Sequence, residues 1–461
     1  MKNNRPLLMG KFSLVIGDVV AILVSCCIAD IFSAKIAVFR FELIPYIQTV
    51  FILLACVGIS FNINDLYTVL YKRFAEILLA LLVSLMQSAV AAYAFLMITT
   101  NRVTWGEYIA LFTASVFCIM LFLRYVVWAF WKKHQNKRNA FVIGTDDECL
   151  RVYNKIARYP HLGIELKYIA ENLVETHEWR QVALQSDIIF AGTQLNVSEK
   201  EQILLFANTH GKELRFIPSI YDVACNQSLL TRIDDIPLLR PKDFFLTAEK
   251  RVVKRGLDIL LSFIAAIFFL PLMTLSAVLV KTTSKGDILY SQVRVGKNEK
   301  TFKVYKFRTM TMDAEKCSGP VMAHENDPRI TSAGKFLRMT RLDELPQIWN
   351  VLVGDMSLVG PRPERPVFVK EFNKMLPAYH YRHNVKPGIT GFAQIFGKYN
   401  TTASDKLVYD LMYIQNCGLK QDLVLILQTI RILFTKSSTE GYSVSEDETD
   451  LNRYRVGNIS Q

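Results

Sequence analysis

The first third of the chain alternates long apolar windows with short polar loops. The windows run from about Phe12 to Phe32, Leu43 to Phe61, Ile77 to Ile98 and Tyr108 to Trp131. Each is close to the roughly 20 residues that an α-helix needs to cross a bilayer. The pattern predicts four transmembrane helices within residues 1–138. A removable signal peptide does not fit, because the first window is longer than an h-region and three more windows follow it.

Basic residues are distributed unevenly around these windows. Nine Lys and Arg residues lie before the first window, between the second and third, or just after the fourth, whereas the other two loops hold three. The positive-inside rule therefore places the N-terminus and everything after residue 131 in the cytoplasm. Asp18, Asp30 and Arg124 fall within or near the windows. We expect positions near the membrane interfaces for Asp30 and Arg124 rather than a transport path.

From Asn139 the apolar runs become shorter and alternate with amphipathic stretches. Runs such as 140–144, 186–192 and 213–219 are separated by helical patterns, which is typical of a doubly wound α/β fold. We therefore predict a cytoplasmic Rossmann-like α/β domain over residues 139–245. Its first strand ends at Gly144, but the following Thr-Asp-Asp lacks the other glycines of a dinucleotide-binding turn. A regulatory or structural role is therefore favoured over NAD binding.

A further apolar stretch, Gly256 to Val280, lies near the start of the remaining domain, residues 246–461. Basic residues flank both of its ends, and Pro271 lies in the middle, where it can break a helix into two arms. Both features favour a re-entrant helix at about 256–280 that enters and leaves on the cytoplasmic side, although a kinked ordinary span is the alternative. The fold class is thus a membrane protein with a four-helix bundle, an α/β domain and a mainly α-helical third domain.

Composition supports this division of the chain. Hydrophobic residues make up 51% and charged residues 21%, which is too apolar for a soluble protein and too charged for a pure membrane bundle. The net charge of +12 suits anionic lipid headgroups and phosphorylated substrates, so we expect membrane lipids as partners and no nucleic acid. The eight cysteines show no C-x-x-C spacing, which indicates free thiols rather than a zinc site.

Two adjacent carboxylates, Asp343 and Glu344, are flanked by Leu342 and Leu345. They repel each other, and burial beside leucines is costly unless cations offset their charge. One carboxylate can attack phosphorus while the other binds a hard cation such as Mg²⁺. On residue types alone, an Asp-Glu pair is also commonly a helix N-terminal cap. Both interpretations are open at this point.

Several arginines occur around the carboxylate pair in sequence. Arg308, Arg338 and Arg362 could present planar, permanently charged groups to phosphate oxygens. Phosphoryl transfer depends on positioning and charge neutralisation, so these residue types would suffice for it. His380 and His383 lie three residues apart, but surface or interface packing is favoured over metal binding for them.

Three runs resemble the bacterial sugar transferase family. They are KFRTM (306–310), LDELPQIWNVLVGDMSLVGPRP (342–363) and VKPGITGFAQ (385–394), in that order. The members of this family are polyprenyl-phosphate hexose-1-phosphate transferases, which initiate exopolysaccharide, capsule and O-antigen assembly. The resemblance extends over about Lys254 to Ser443. Together with the α/β segment, the four predicted spans look like the large, multi-span branch of the monotopic phosphoglycosyl transferases.

The resemblance implies roles for individual residues. Asp343 would be the covalent nucleophile and Glu344 the ligand of Mg²⁺. Binding of the phosphates or the nucleotide is implied for Lys306, Arg308, Arg338, Arg362 and, in the D-x-x-Y motif, Asp410. The sequence departs from many members at Arg341, where they carry Ser before Leu-Asp-Glu.

The implied reaction moves a hexose 1-phosphate from a UDP-sugar, with glucose or galactose favoured, to undecaprenyl phosphate. The expected location is the bacterial cytoplasmic membrane, with the catalytic domain on the cytoplasmic side, and a homo-oligomer is left open. Two alternatives belong to other classes. One is a non-catalytic membrane regulator of polysaccharide assembly. The other is a nucleotide-dependent sugar-modifying enzyme centred on Gly144, which would need an intact glycine turn.

Overall fold

The computed structural model describes residues 5–34, 43–68, 72–100, 105–134, 136–171, 178–311, 327–398, 401–433 and 455. The chain forms two compact units divided between Ile217 and Pro218, and Arg455 belongs to the first unit. This division precedes the predicted boundary at residue 245, because the segment after Pro218 packs within the second unit. Val223, for example, lies in one apolar cluster with Tyr413. Cys317 lies outside the described residues. So does the polar C-terminal tail after residue 434, except for Arg455.

Four apolar helices begin the first unit. They are α1 (Arg5–Ala34), α2 (Leu43–Ile63), α3 (Phe74–Thr100) and α4 (Trp105–His134). Helix α1 packs against α4, α4 against α3, and α3 against α2. Apolar side chains fill the space between the helices, and others such as Phe51, Met86 and Val90 face outward. Helices that are apolar all round belong in a membrane or a large core.

Helices α1, α3 and α4 are each long and apolar enough to cross a membrane, by length and composition. A fourth helix of this kind lies in the second unit, at Ala248–Thr283. The described apolar part of α2, Ile47–Ile63, is shorter. Each predicted apolar window thus corresponds to a helix, whereas the number of crossings and the cytoplasmic orientation stay predictions.

A buried ion pair lies inside the helix bundle. The Arg124 guanidinium nitrogen Nη2 is 2.7 Å from Asp18 Oδ2, and the two side chains are 1% and 5% exposed. Arg124 also stacks over the ring of Phe61. The structure thus pairs Arg124 with Asp18 within the bundle, and the expectation that Arg124 lies near a membrane interface stays a prediction. Inside the bundle, each charge offsets the desolvation of the other.

The α/β part of the first unit is a parallel sheet with helices between its strands. In chain order these are β1 (Arg138–Ile143), α5 (Asp146–Arg158), β2 (Ile164–Ala170), α6 (Trp179–Gln185), β3 (Ile188–Ala191), α7 (Val197–His210) and β4 (Glu213–Phe216). The strand order is β2-β1-β3-β4, and every neighbouring pair is parallel. The central strand β1 carries four buried residues, Ala140 to Ile143, as expected for a strand covered on both faces.

The second unit is mainly helical, as predicted. It begins with α8 (Ile220–Asn226), the exposed hairpin β5 (Leu229–Ile233) and β6 (Ile236–Arg240), and α9 (Ala248–Thr283). A second hairpin follows, β7 (Leu289–Val295) and β8 (Thr301–Phe307), and then α10 (Ser332–Thr340) and α11 (Gln347–Val353). The remaining elements are β9 (Ser357–Val359), α12 (Pro366–Met375), β10 (Gly388–Thr390), α13 (Phe392–Phe396), α14 (Ala403–Asn416) and α15 (Leu419–Leu433).

Helix α9 contains the predicted re-entrant stretch. It has 36 residues and is about 54 Å long at 1.5 Å per residue. The helix continues through Pro271 and is not divided there into two separate helices. Several of its apolar side chains, including Phe263, Ile267 and Phe268, are more than half exposed. The re-entrant topology stays a prediction.

The ion pair in the bundle yields a testable expectation. Arg124→Ala leaves the Asp18 carboxylate without its cation, so we expect destabilisation of about 3–5 kcal/mol. The double variant Asp18→Ala/Arg124→Ala removes both charges and should recover part of this loss. Thermal unfolding of the full chain in detergent measures both effects. Phe122→Ala, on the outer face of the same helix, is the control. Equal unfolding midpoints for the wild type and Arg124→Ala would contradict the interpretation.

Candidate active site

The Asp343-Glu344 pair lies in a 3₁₀ turn, Leu342–Glu344, that directly follows α10. Helix α10 ends because Arg341 takes a left-handed conformation with φ of 59°. This conformation costs a non-glycine residue roughly 1–2 kcal/mol, so the surrounding structure must hold it. Leu342 and Leu345 do so by packing against a cluster that includes Val280 and Phe307. The two leucines thus fix the backbone that carries both carboxylates.

Glu344 is held between two cations. Its Oε1 accepts hydrogen bonds from Lys306 Nζ at 2.6 Å and from Arg362 Nη2 at 2.8 Å. Burial alone would raise the pKa of Glu344, but Arg362 and Lys306 lower it well below its ordinary value. In turn, Glu344 raises the pKa of Arg362. Glu344 is therefore ionised at neutral pH.

Asp343 has a different environment although it is adjacent in sequence. It is 8% exposed, and within the described part of the chain no hydrogen bond or ion pair to its carboxylate is found. Burial, and then the charge of Glu344, raise the pKa of Asp343 to about 6, against the opposing charges of Lys306, Arg338 and Arg341. A carboxylate without fixed partners is available to react, and its raised pKa is typical of functional sites.

Arg308 directly precedes Thr309 in the sequence, and Arg338 contacts the side chain of Thr309. Arg338 Nε donates to Thr309 Oγ1 at 2.9 Å. Arg308 Nη2 donates to the carbonyl and hydroxyl oxygens of Ser284 at 2.9 and 2.8 Å. The other two nitrogens of the Arg308 guanidinium, Nε and Nη1, are buried and have no partner among the described residues. Buried guanidinium donors left unpaired can serve an anionic ligand.

Close backbone contacts set the position of the loop that carries Arg362. The loop follows β9, which pairs in parallel with β10. Gly360 donates to the Thr390 carbonyl at 2.8 Å, and Gly388 donates to the Pro361 carbonyl at 2.9 Å. A Cβ atom at Gly388 would collide with the backbone of Gly360. The two glycine-containing motifs therefore pack backbone to backbone, which side chains would prevent.

Asp410 is paired with Arg382 inside the second unit. It is 1% exposed, and Arg382 Nε donates to its Oδ2 at 2.9 Å. Arg382 Nη2 donates to the backbone carbonyl of Arg362 at 2.9 Å. Burial raises the pKa of Asp410 to about 6, and Arg382 opposes this shift. Asp410 thus positions Arg382, which supports the Arg362 loop, and its role in binding phosphate or nucleotide stays a prediction.

No sequence motif singles out Arg382, which lies between His380 and His383. His383 is buried, and burial followed by the charge of Arg382 lowers its pKa to about 3. It is therefore neutral, while His380 is exposed and faces the Pro377 carbonyl. Among the described residues no cluster of three or more His, Cys, Asp or Glu side chains could hold a metal ion by itself.

The polar half of α9 is bonded to the elements around the site. Arg255 donates to the carbonyls of Val351 and Leu352 at the end of α11, at 2.6 and 2.8 Å. Asp258 accepts from Ser357 Oγ and from the Leu358 amide, both at 3.0 Å. Carbonyls at a helix C-terminus lack partners within the helix, so a basic side chain stabilises them. The long apolar helix is thereby fixed to the strand that precedes the Arg362 loop.

Comparison with known proteins gives one family match. A family model described as bacterial sugar transferase matches residues 249–436. The UDP-N-acetylgalactosamine-undecaprenyl-phosphate N-acetylgalactosaminephosphotransferase of Aeromonas hydrophila is 46% identical over 186 residues, which are 40% of this chain and 44% of that relative. The chain thus aligns with less than half of that relative's length.

Two other relatives differ in the extent of the match. The UDP-glucose:undecaprenyl-phosphate glucose-1-phosphate transferase of Klebsiella pneumoniae is 34% identical over 64% of this chain and 67% of its own length. The exopolysaccharide production protein PSS of Rhizobium leguminosarum bv. phaseoli is 40% identical over 39% of this chain and 94% of its own length. The match to the Klebsiella relative is much longer than the region of this chain that the family model matches. The match to the Rhizobium relative has almost the same length as that region.

The contrast between the two carboxylates predicts opposite effects on stability. Because the pKa of Asp343 is raised, this carboxylate binds a proton more readily in the folded protein than in the unfolded chain. The contribution of Asp343 to the free energy of unfolding is therefore lost as the pH rises from about 4 to about 6. At about pH 7.5, Asp343→Asn should therefore unfold at a higher temperature than the wild type, with a free energy of unfolding larger by on the order of 1–3 kcal/mol. Near pH 4 the variant and the wild type should unfold at the same temperature.

Glu344→Gln is the matched control, because the ionised form of Glu344 stabilises the fold. That contribution is present at neutral pH and is lost as the pH falls through the lowered pKa. At about pH 7.5 the variant should unfold at a lower temperature than the wild type, with a free energy of unfolding smaller by about 1–3 kcal/mol. Unfolding is followed in detergent with EDTA present. Shifts of the same sign for Asp343→Asn and Glu344→Gln would refute the assignment of one paired and one unpaired carboxylate.

Proposed function

Because this chain belongs to the bacterial sugar transferase family, we propose that it transfers a sugar 1-phosphate from a UDP-sugar to undecaprenyl phosphate. The products are undecaprenyl-diphosphate-sugar and UMP, the priming step of exopolysaccharide or capsule synthesis. The observation that carries the proposal is the contrast between a Glu344 paired with two cations and a buried Asp343 that lacks hydrogen-bond partners among the described residues. Neither the non-catalytic regulator nor the sugar-modifying enzyme requires that arrangement.

The proposed reaction begins with attack by the Asp343 carboxylate on the β-phosphorus of the UDP-sugar. A new bond forms between a carboxylate oxygen and phosphorus, and the bond from that phosphorus to the oxygen bridging the two phosphates breaks. UMP leaves, and the sugar phosphate stays on the enzyme as an acyl phosphate. Only the ionised carboxylate attacks, so we expect turnover to rise with pH through an apparent pKa near 6.

The second step regenerates the enzyme. An oxygen of the lipid phosphate attacks the same phosphorus, the acyl-phosphate bond breaks, and Asp343 is released as a carboxylate. Both steps bring anions together, so their rates depend on cations that are already in position. Arg308 and Arg338 are the first candidates for holding the diphosphate, because Arg308 retains two buried nitrogens without partners among the described residues. Lys306 and Arg362 hold Glu344 and can also neutralise phosphate charge.

Mg²⁺ is a proposed cofactor whose site the substrate would complete. The donor set fits this view, because Mg²⁺ usually takes one or two carboxylates together with substrate phosphates and water. Both cations contact Glu344 through Oε1, which leaves Oε2 as the donor that would face the ion. When bound, Mg²⁺ would neutralise charge on the diphosphate.

The membrane supplies the acceptor. Undecaprenyl phosphate is a lipid, and the apolar exposed surface of α9 suits insertion into the bilayer, while the Arg255 and Asp258 contacts connect that helix to the site. We propose that the site faces the cytoplasm, where UDP-sugars are present. Basic residues at both ends of α9 favour that placement.

The identity of the transferred sugar differs between the relatives. The Klebsiella relative is named for glucose and the Aeromonas relative for N-acetylgalactosamine. We propose glucose or galactose as the first candidates, and glucose in particular because the match to the Klebsiella relative extends over 64% of this chain. Release of UMP measured with UDP-glucose, UDP-galactose and UDP-N-acetylgalactosamine would distinguish them.

Trapping the acyl phosphate tests the reaction. The full chain is incubated with a UDP-sugar labelled in the β-phosphate, without lipid acceptor, and quenched rapidly. We expect label on the protein that hydroxylamine removes, and none on Asp343→Asn. Asp355→Asn, at an exposed aspartate in the same unit, is the matched control and should label like the wild type. Absence of label on an active wild-type enzyme would favour direct transfer and refute the covalent step.

Arg362→Lys tests whether the guanidinium geometry matters beyond its charge. An ammonium keeps the positive charge near Glu344 but cannot form two parallel hydrogen bonds to a phosphate. We expect the turnover rate to fall by roughly tenfold or more, with the folded structure retained. Steady-state kinetics with saturating lipid measure the effect. Kinetics equal to those of the wild type would show that Arg362 pairs with Glu344 and does not bind a substrate phosphate through its guanidinium geometry.

A further inference from the structure

The α/β fold of the first unit has its crevice closed by one of its own side chains. In parallel sheets, ligands bind at the carboxyl ends of the strands where the strand order reverses, which here lies between β1 and β3. Glu148 fills that position and is 4% exposed. Its Oε1 accepts from the Thr193 amide at 3.0 Å and from Thr193 Oγ1 at 2.6 Å, and its Oε2 accepts from the Thr145 amide at 3.3 Å.

This carboxylate occupies the place of a bound phosphate. Backbone amides after β1 and at a helix N-terminus are the donors that a dinucleotide diphosphate would use. A Cβ atom at Gly144 would lie 2.6 Å from Glu148 Oε2, so the glycine accommodates the glutamate rather than a ligand. A bound dinucleotide would have to displace a buried, hydrogen-bonded carboxylate of like charge. The crevice is therefore unsuited to nucleotide binding.

The carboxyl ends of β1 and β2 also lie near Arg455, a residue from the C-terminal part of the chain. Arg455 Nη2 lies 2.8 and 2.7 Å from the two carboxylate oxygens of Asp146, and 3.2 Å from Glu171 Oε1. Asp146 is the first residue of α5, and Glu171 directly follows β2. Two acidic residues at the ends of two neighbouring elements thus converge on a single guanidinium.

Arg455 also contacts the sheet through its backbone. It forms an isolated parallel bridge with Ile169 of β2. Strand β2 is at the edge of the sheet, and on one side its backbone groups face no neighbouring strand among the described residues. Addition of a peptide to such an edge is a common mode of recognition, in which backbone hydrogen bonds provide affinity and side chains provide specificity.

We propose that the α/β fold is a peptide-binding module whose ligand is the chain's own C-terminal segment around Arg455. The edge of β2 receives the backbone of Arg455, and Asp146 and Glu171 select its guanidinium. The carboxyl edge of the sheet therefore binds a basic peptide instead of a phosphate. Since α15 ends at Leu433 in the second unit, this docking returns the C-terminal end of the chain to the first unit.

Hydrogen exchange on the full chain in detergent tests the proposal. Arg455→Glu places a third carboxylate beside Asp146 and Glu171, so the segment should dissociate. We expect the amides of β2, Ile164–Ala170, to exchange roughly fivefold faster than in the wild type, the factor lost with a partly exposed ion pair. The control is Arg215→Glu, which breaks an exposed ion pair with Glu213 on β4 at the other edge of the sheet. It should leave β2 unchanged.

A charge exchange keeps the test decisive if Arg455→Glu lowers protection throughout the sheet. Asp146→Lys combined with Arg455→Glu restores an attractive pair and should restore protection of β2. Raising NaCl from about 0.1 M to about 1 M should also speed exchange of β2 in the wild type, because salt screens exposed pairs. Unchanged β2 exchange in Arg455→Glu would overturn the proposal. So would protection of the turns after β1 and β3 by millimolar NAD, because this would show that the crevice binds a nucleotide.

Discussion

The ion pairs that hold Glu344 are the interaction on which the catalytic unit depends. Two adjacent carboxylates cannot both be buried and charged without compensation. Lys306 and Arg362 compensate one of them, and this leaves Asp343 without hydrogen-bond partners among the described residues. The difference between two neighbouring residues of the same charge is therefore the basis of the proposed division into nucleophile and metal ligand.

This arrangement requires the Arg362 loop to be held rigidly. Gly360 and Gly388 allow two loops to approach through their backbones, and Arg382 bonds the carbonyl of Arg362 from a buried position. Asp258 of α9 bonds the strand that precedes the same loop. A helix with a largely apolar exposed surface thus contributes directly to the geometry of a polar site. This connection suits a reaction between a water-soluble donor and a lipid acceptor.

The first unit uses charge in two other ways. Within the bundle, Asp18 and Arg124 neutralise each other in an apolar interior. In the α/β fold, Glu148 occupies the crevice that a phosphate would take, and Asp146 and Glu171 bind Arg455 instead. A fold often used for nucleotides is in this way adapted to a peptide. Strand topology alone therefore does not determine what such a sheet binds.

Features that depend on local composition and order could be predicted from the sequence alone. Apolar windows predicted α1 to α4, short alternating runs predicted the α/β fold, and the motif order identified the family and the Asp343-Glu344 pair. The partner of each charged group, in contrast, depends on the tertiary fold. Glu344 and Arg362 are 18 residues apart, Arg124 and Asp18 are 106 apart, and Arg455 and Asp146 are 309 apart. Pairings at such separations depend on the packing of whole elements, which no local pattern encodes.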